Sequence, residues 1–112
     1  MSEPEEPADM PEFTGGISRL YCRVFQSAAD AEEFITIAGL VRERVSPARM
    51  RYQLIQSMED PCTIFEIWSY PDEETMRWVQ AAMEGATAVP RKFGPETKVW
   101  TSHIRADMLV ND

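Results

Sequence analysis

Few of the side chains that most often bind metals or catalyse acid–base chemistry are present in this sequence. His103 is the single histidine, and the two cysteines, Cys22 and Cys62, do not form a Cys-x-x-Cys pair. A zinc site would have to assemble from these three residues and distant carboxylates, so no metal is predicted. Because the two cysteines allow one bridge at most and nothing indicates export, both are expected to be reduced thiols.

Long apolar runs and cofactor-binding motifs are also missing. No apolar segment approaches the roughly 20 residues that a membrane helix needs, and no basic stretch followed by an apolar one opens the chain. We therefore expect a cytoplasmic protein without a membrane partner. The sequence has no glycine-rich phosphate loop, dinucleotide fingerprint or serine nucleophile elbow, so no cofactor is predicted. Any oxidation would have to use dioxygen and the substrate itself, or a cofactor bound without a recognisable motif.

Basic residues are absent from the first 16 positions, which hold five acidic residues together with several prolines and glycines. This composition predicts an acidic flexible N-terminal arm over 1–16, followed by one domain over 17–112. The formal net charge is −8, and outside the arm 14 acidic residues still exceed 11 basic ones. Such an acidic body argues against nucleic acid as a partner.

The first part of the domain has the pattern of a strand followed by a helix. Residues 17–25 alternate as a strand with apolar side chains on both faces. Ser27 is a suitable N-cap for a helix over 28–45, which Pro47 ends. The apolar stripe of that helix consists of Phe34, Ile37, Ala38, Val41 and Val45.

Two strands and a turn follow. Residues 50–58 and 62–70 both alternate at the period of a strand, and Glu59-Asp60-Pro61 between them is typical of a tight turn. The pattern predicts an antiparallel hairpin. In its second strand, Glu66 and Trp68 share one face.

A second helix and a last strand complete the domain. Pro71 and Asp72 are suited to open a helix, because proline fits its first positions and acids stabilise its positive end. Gly85 is the predicted end of this helix. Residues 98–107 form the predicted fourth strand. The inward stripe of the helix consists of Met76, Val79 and Met83.

The predicted order β-α-β-β-α-β indicates an α+β, ferredoxin-like fold with an antiparallel sheet and both helices on one face. The other face of the sheet would carry bulky apolar residues that a monomer should not expose. A second copy packed against this face is the simplest solution, so the sequence predicts a homodimer.

The run Asp60-Pro61-x-Thr63-Ile64-Phe65-Glu66-Ile67-Trp68-Ser69 resembles the antibiotic biosynthesis monooxygenase family. In that family the third strand ends in aromatic-Glu-x-Trp before an acidic helix start. The resemblance covers 17–107. It implies a dimeric α/β barrel in which each subunit holds a small aromatic ligand between helices and sheet. Relatives include cofactor-independent quinone-forming monooxygenases, haem-degrading enzymes and polyketide cyclases.

The haem-degrading relatives differ from this chain at two of their three functional positions. They use an asparagine on the first strand, a tryptophan on the third and a histidine about ten residues later. Trp68 matches the tryptophan, but Trp78 stands at the histidine spacing and the single asparagine is Asn111. The resemblance therefore does not extend to haem degradation.

Glu66 and Trp68 are the leading site candidates. Trp68 would stack on an aromatic substrate or anchor the core, and Trp78 would form an aromatic clamp with it or pack the helix. Glu66 would act as a general base. Its alternative role is a salt bridge to a strand arginine. The arginines considered for that bridge are Arg19, Arg51 and Arg105.

The remaining candidates would move protons or bind oxygen atoms. His103 is a second candidate for proton transfer, although a lone histidine is more often a surface residue. Tyr21, Tyr52 and Arg19 are candidates to bind a substrate oxygen. The resulting hypothesis is a cofactor-independent monooxygenase acting on a phenolic or polycyclic aromatic metabolite. The alternatives are a polyketide cyclase and a non-catalytic ligand-binding or accessory protein.

Overall fold

A computed structural model describes residues 16–45, 48–84, 93–108 and 110 of the chain. Apart from Gly16, the predicted acidic arm lies outside these residues, as does the predicted helix end at Gly85. The elements are β1 (Ile17–Val24), α1 (Ala28–Ala38), α2 (Val41–Val45), β2 (Arg51–Gln56), β3 (Thr63–Tyr70), α3 (Glu73–Ala82) and β4 (Glu96–His103).

The four strands form one antiparallel sheet in the order β2-β3-β1-β4. Each strand–helix–strand unit therefore joins two parallel strands with a third strand inserted between them, which is the split βαβ arrangement. The prediction of a ferredoxin-like α+β fold is confirmed. The sheet has two faces, and the helices pack on one of them, here called the helix side.

The first helical segment begins as predicted but is divided into two. The Ser27 hydroxyl accepts a hydrogen bond from the Asp30 amide at 3.1 Å, which caps α1. The single helix predicted over 28–45 is wrong, because α1 ends at Ala38 and the Leu40 amide bonds back to the Ile37 carbonyl at 3.0 Å. Gly39 lies in the break, where its low helix propensity favours a turn.

The β2–β3 connection is a turn organised by Asp60. Its carboxylate accepts hydrogen bonds from the Cys62 amide and the Thr63 hydroxyl at 3.1 and 3.0 Å, and its carbonyl accepts one from the Thr63 amide. The predicted hairpin is therefore present, with strands slightly shorter than expected. After β3, the Asp72 carboxylate caps α3 by accepting from the Thr75 amide at 2.7 Å.

The helix side of the sheet holds the core in two neighbouring clusters. Phe34 of α1 packs on Ile64 in the first cluster, and Val79 of α3 packs with Trp68 and Tyr70 in the second. Both Ile64 and Val79 are almost completely buried. Those members of the predicted apolar stripes whose side chains the structure describes therefore face the sheet, and β3 lies beneath them.

The opposite face of the sheet, here called the outer face, is apolar and exposed. It includes side chains from all four strands, with exposed fractions between 37% and 49%. These residues are Val24, Ile55, Phe65 and Trp100.

The chain after β4 crosses one end of the sheet. The predicted fourth strand over 98–107 is wrong in its bounds, because β4 is Glu96–His103. One further bond in the same register, from the Ile104 amide to the Gly16 carbonyl at 2.8 Å, follows the end of the strand. The Asp107 carboxylate then lies 3.8 Å from the guanidinium of Arg51, on the strand at the opposite edge, and pairs with it.

Several sequence expectations concern residue types rather than elements. Cys22 and Cys62 are both half-buried and form no disulfide in the structure. Within the described ranges, no three histidine, cysteine or acidic side chains form a group suited to bind a metal ion. No helix in the part of the chain that the structure describes is long and apolar enough to cross a membrane.

Candidate functional site

Glu66 lies at the centre of the helix side, and only 2% of it is exposed. Arg23 Nε donates a hydrogen bond to Glu66 Oε1 at 2.7 Å, and Tyr52 Oη donates one to Glu66 Oε2 at 2.5 Å. These three residues are called the Glu66 cluster. A carboxylate buried to this extent is stable because a cation and a second donor both contact it.

The strand register explains why Arg23 is the partner of Glu66. Tyr21 of β1 pairs directly with Glu66, so Arg23, two residues further along β1, lies diagonally across from it on the same face. The sequence suggested Arg19, Arg51 or Arg105 for this bridge, and in the structure none of them makes it. Arg51 pairs with Asp107, and Arg105 follows the end of β4.

The electrostatic environment keeps Tyr52 neutral. Burial raises the pKa of Tyr52 well above its usual value, and the negative charge of Glu66 and the hydrogen bond to it raise this pKa further. Arg23 opposes part of the effect. Tyr52 is therefore a phenol that donates to Glu66 throughout the neutral pH range.

Aromatic rings surround the cluster. The Trp68 ring meets that of Tyr52 at a centroid distance of 4.7 Å and an angle of 67°, and that of Tyr21 at 6.3 Å and 61°. These edge-to-face contacts are the arrangement that aromatic quadrupoles favour. Trp68 is 6% exposed and packs with Val79, so it anchors the core and also forms part of the wall beside Glu66.

Two arginines lie against the same tyrosine ring. The Arg23 guanidinium is 4.8 Å from the Tyr21 ring centroid, and that of Arg19 is 5.6 Å from it. Both distances allow cation–π attraction. Arg19 pairs across the strands with Trp68, so Arg19 and Trp68 stand side by side on the helix side.

Five of the seven residues predicted for the site come together on the helix side. They are Arg19, Tyr21, Tyr52, Glu66 and Trp68. Sequence reasoning missed a sixth member, Arg23. Its position in alternation with Tyr21 on β1 was the available signal, because this alternation assigns both residues to one face.

The other two predicted residues lie elsewhere. His103 is exposed and pairs with Ile17. Val99 of β4 lies in the same cross-strand row as Glu66, because both pair with Tyr21. His103 is four residues further along β4 than Val99. That offset corresponds to roughly 13 Å of strand. Trp78 is 47% exposed on α3.

Comparisons with known proteins show the fold. No protein-family model and no curated protein matches the chain. A dimeric ferredoxin-like protein from an uncultured marine organism aligns with 87% of this chain and 94% of its own, at 13% identity and a TM-score of 0.73. SnoaB, a cofactor-independent oxygenase from Streptomyces nogalater, aligns with 85% of this chain and 98% of its own, at 12% identity and a TM-score of 0.67.

A third solved structure adds to this group. It is a putative antibiotic biosynthesis monooxygenase from Caulobacter crescentus, which aligns with 86% of this chain and 93% of its own at 17% identity and a TM-score of 0.60. The chain is thus a ferredoxin-like α+β protein, and the resemblance found in the sequence is confirmed at the level of the fold. Identities this low carry no activity from one protein to another.

Proposed function

We propose that this protein is a cofactor-independent monooxygenase acting on a phenolic or polycyclic aromatic metabolite. The observation that carries the proposal is the Glu66 cluster, in which a buried carboxylate and a neutral phenol lie beside the Trp68 ring. A proton acceptor next to an aromatic wall is what the oxidation of a phenol by dioxygen requires. The similarity to a structure described as a cofactor-independent oxygenase supports it.

The proposed reaction needs no further oxidant. In an anthrone, the ring methylene is converted to a carbonyl by one molecule of dioxygen: one oxygen atom enters the product, and the other leaves as water with the two methylene hydrogens. In a naphthol, the two hydrogens come from one ring C–H and the hydroxyl. In a hydroquinone that becomes a hydroxyquinone, they come from the two hydroxyls. Removal of a substrate proton starts the reaction, because the resulting anion is the electron donor to dioxygen.

Tyr52 is the proposed route for that proton. Both oxygens of Glu66 already accept hydrogen bonds, from Arg23 and Tyr52, so a substrate reaches the carboxylate through the Tyr52 hydroxyl. Tyr52 accepts the substrate proton as it passes its own to Glu66. His103 stays a weaker candidate for proton transfer, because it is exposed and distant along β4.

Oxygen consumption by a panel of hydroquinones, naphthols and anthrones tests this function. Tyr52→Phe removes the hydroxyl but keeps the ring beside Trp68, so we expect turnover to fall by about 100-fold or more. Glu73→Gln is the control, since Glu73 is exposed on α3. Equal turnover by Tyr52→Phe and the wild type would contradict the proton route.

A non-catalytic ligand-binding protein is the second candidate. One observation favours it: the two hydrogen bonds to Glu66 leave neither oxygen of the carboxylate without a donor. Such a protein would bind members of the same panel with unchanged affinity in Tyr52→Phe and would consume no oxygen with any of them. The two free cysteines suit a reducing compartment such as the cytoplasm under either function.

We also propose that the protein is a homodimer that buries the outer face. Val24, Ile55, Phe65 and Trp100 give this face a group of exposed apolar side chains on all four strands. Two such faces packed together would remove these side chains from water. One of the solved structures of similar fold is described as dimeric.

A further inference from the structure

Two buried hydrogen-bond donors on the helix side lack an acceptor. Arg19 Nε and Trp68 Nε1 are both shielded from solvent, and neither has a hydrogen-bond partner. An indole N–H or a guanidinium N–H buried without an acceptor costs free energy, so native structures rarely leave one unpaired. Here two occur on a single pair of cross-strand neighbours, Arg19 and Trp68.

The same region carries an excess of positive charge. On the described strands, the helix side near Glu66 holds two arginines, Arg19 and Arg23, and one carboxylate, Glu66. Arg23 is neutralised by Glu66, whereas Arg19 forms no ion pair with any residue that the structure describes. Arg19 is half-buried, its Nε is shielded from water, and no described carboxylate pairs with it, so this position is suited to an anion.

We propose that Arg19 and Trp68 form an oxyanion subsite that binds a carboxylate on an aromatic ligand. The carboxylate accepts one hydrogen bond from Arg19 Nε and one from Trp68 Nε1, while the ligand ring lies along Tyr21 and Tyr52. Arg19 and Trp68 pair across the strands and share a face, so their donors can meet at the two oxygens of one planar group. This inference deepens the proposed function and rests on it for the location of the ligand ring.

The ligand carboxylate would also neutralise the positive charge of Arg19 beside the Glu66 cluster. It balances Arg19 as Glu66 balances Arg23, and it leaves both proton-carrying groups, Tyr52 and Glu66, undisturbed. An aromatic ligand without an acid group would leave Arg19 unpaired in the same site. The structure therefore assigns preference to aromatic acids over neutral phenols of equal size.

Binding of 1-hydroxy-2-naphthoate and of 1-naphthol, measured by calorimetry on the full-length protein, tests the subsite. The two probes share a hydroxylated naphthalene and differ by the carboxylate. The wild type is expected to bind the acid at least about tenfold more tightly than the naphthol, as charge-assisted hydrogen bonds imply. Arg19→Gln should remove that difference by weakening the acid alone.

Two further variants test the indole donor and control for the change in charge. Trp68→Phe keeps an aromatic ring and removes the N–H, so the acid should lose affinity several-fold. Arg77→Gln makes the same charge change on an exposed arginine of α3 and should leave both affinities unchanged. Equal binding of the two probes by the wild type, or equal losses in Arg19→Gln and Arg77→Gln, would overturn the subsite.

Failure of the subsite and failure of the monooxygenase activity give different results in these experiments. If the acid preference is present and depends on Arg19 while no oxygen is consumed, the subsite stands and the monooxygenase activity fails. If phenols are oxidised but the preference is absent, the activity stands and the subsite fails.

Discussion

At the scale of single residues, the site depends on how one buried carboxylate is paired. Glu66 is surrounded by apolar side chains, where an unpaired charge would be strongly unfavourable. Arg23 supplies the opposite charge and Tyr52 a neutral donor, at 2.7 and 2.5 Å. The same pairing makes Glu66 stable in the core and makes Tyr52 the proposed route for a proton.

Glu66→Gln is predicted to destabilise the protein by about 3 kcal/mol, because it leaves Arg23 buried without its counter-charge. The Arg23 side chain is only 13% exposed, so water compensates little for the lost partner. Glu73→Gln breaks an ion pair of the same 2.7 Å length between exposed residues and should cost less than about 1 kcal/mol. Urea unfolding of the two variants measures the difference, and similar losses would show that the Glu66 pair is not buried.

Alkaline pH should destabilise the fold through its buried tyrosines. Burial raises the pKa of both Tyr52 and Tyr70 far above their ordinary value. The folded state therefore keeps these protons more tightly than the unfolded state does. Their contribution to stability is complete below pH about 10 and is lost as the pH rises further.

Tyrosinate absorbance recorded alongside unfolding tests this prediction. Tyr52 and Tyr70 should ionise only as the chain unfolds, and Tyr52→Phe should reduce the amplitude of that late phase. Ionisation of all three tyrosines in a chain that is still folded would contradict the buried positions.

At the scale of elements, local signals determine where the helices begin. Ser27 accepts a hydrogen bond from the amide three residues later, as its position in the sequence indicated. Asp72 caps α3 in the same way, so this helix begins at Glu73, two residues after the predicted start at Pro71. The break after α1 was not predicted, since Gly39 alone does not distinguish a weakened helix from two helices. Packing of Ala38 and Val45 in different core clusters is consistent with the division.

Ser27→Ala is predicted to lower the free energy of unfolding by about 1 kcal/mol through loss of the α1 cap. Ser27→Asp keeps an acceptor at the same position and should retain most of the stability. Thermal or urea unfolding compares the two variants. Equal destabilisation by Ala and Asp would mean that the hydroxyl acts by some means other than capping.

The sequence predicts which side chains share a face of a strand, but not which residues of neighbouring strands pair. Alternation alone assigns Glu66 and Trp68 to one face of β3, and Arg19 and Tyr21 to one face of β1. Alternation does not give the register between strands, and the register selects Arg23 over the other arginines as the partner of Glu66. For the same reason, the pattern of β4 does not reveal that His103 lies far along that strand from the row of Glu66.

At the scale of the whole molecule, the apolar outer face is the main feature that one chain leaves unexplained. Phe65 is 40% exposed near the middle of this face, where a soluble monomer would favour a polar residue. Burial of such side chains between two sheets would provide the driving force for association. The proposal of a homodimer thus follows from the surface of the fold.

Phe65→Lys is predicted to convert a dimer into a monomer, because two buried charges would face the opposing sheet. Sedimentation or light scattering should give twice 12.8 kDa for the wild type and 12.8 kDa for the variant. Leu40→Lys, which changes a 58% exposed residue between α1 and α2, should stay dimeric. A wild-type monomer at micromolar concentration would contradict the proposed interface.

We propose that the Glu66 cluster supports oxidation by dioxygen without an added cofactor. The sharpest measurement is the oxygen consumption of chelator-treated protein with an anthrone, recorded together with formation of the anthraquinone. We expect one dioxygen to be consumed for each quinone formed, and a large loss of rate in Tyr52→Phe but not in Glu73→Gln. Oxygen consumption no faster than the uncatalysed reaction, for every phenol and anthrone in the panel, would contradict it.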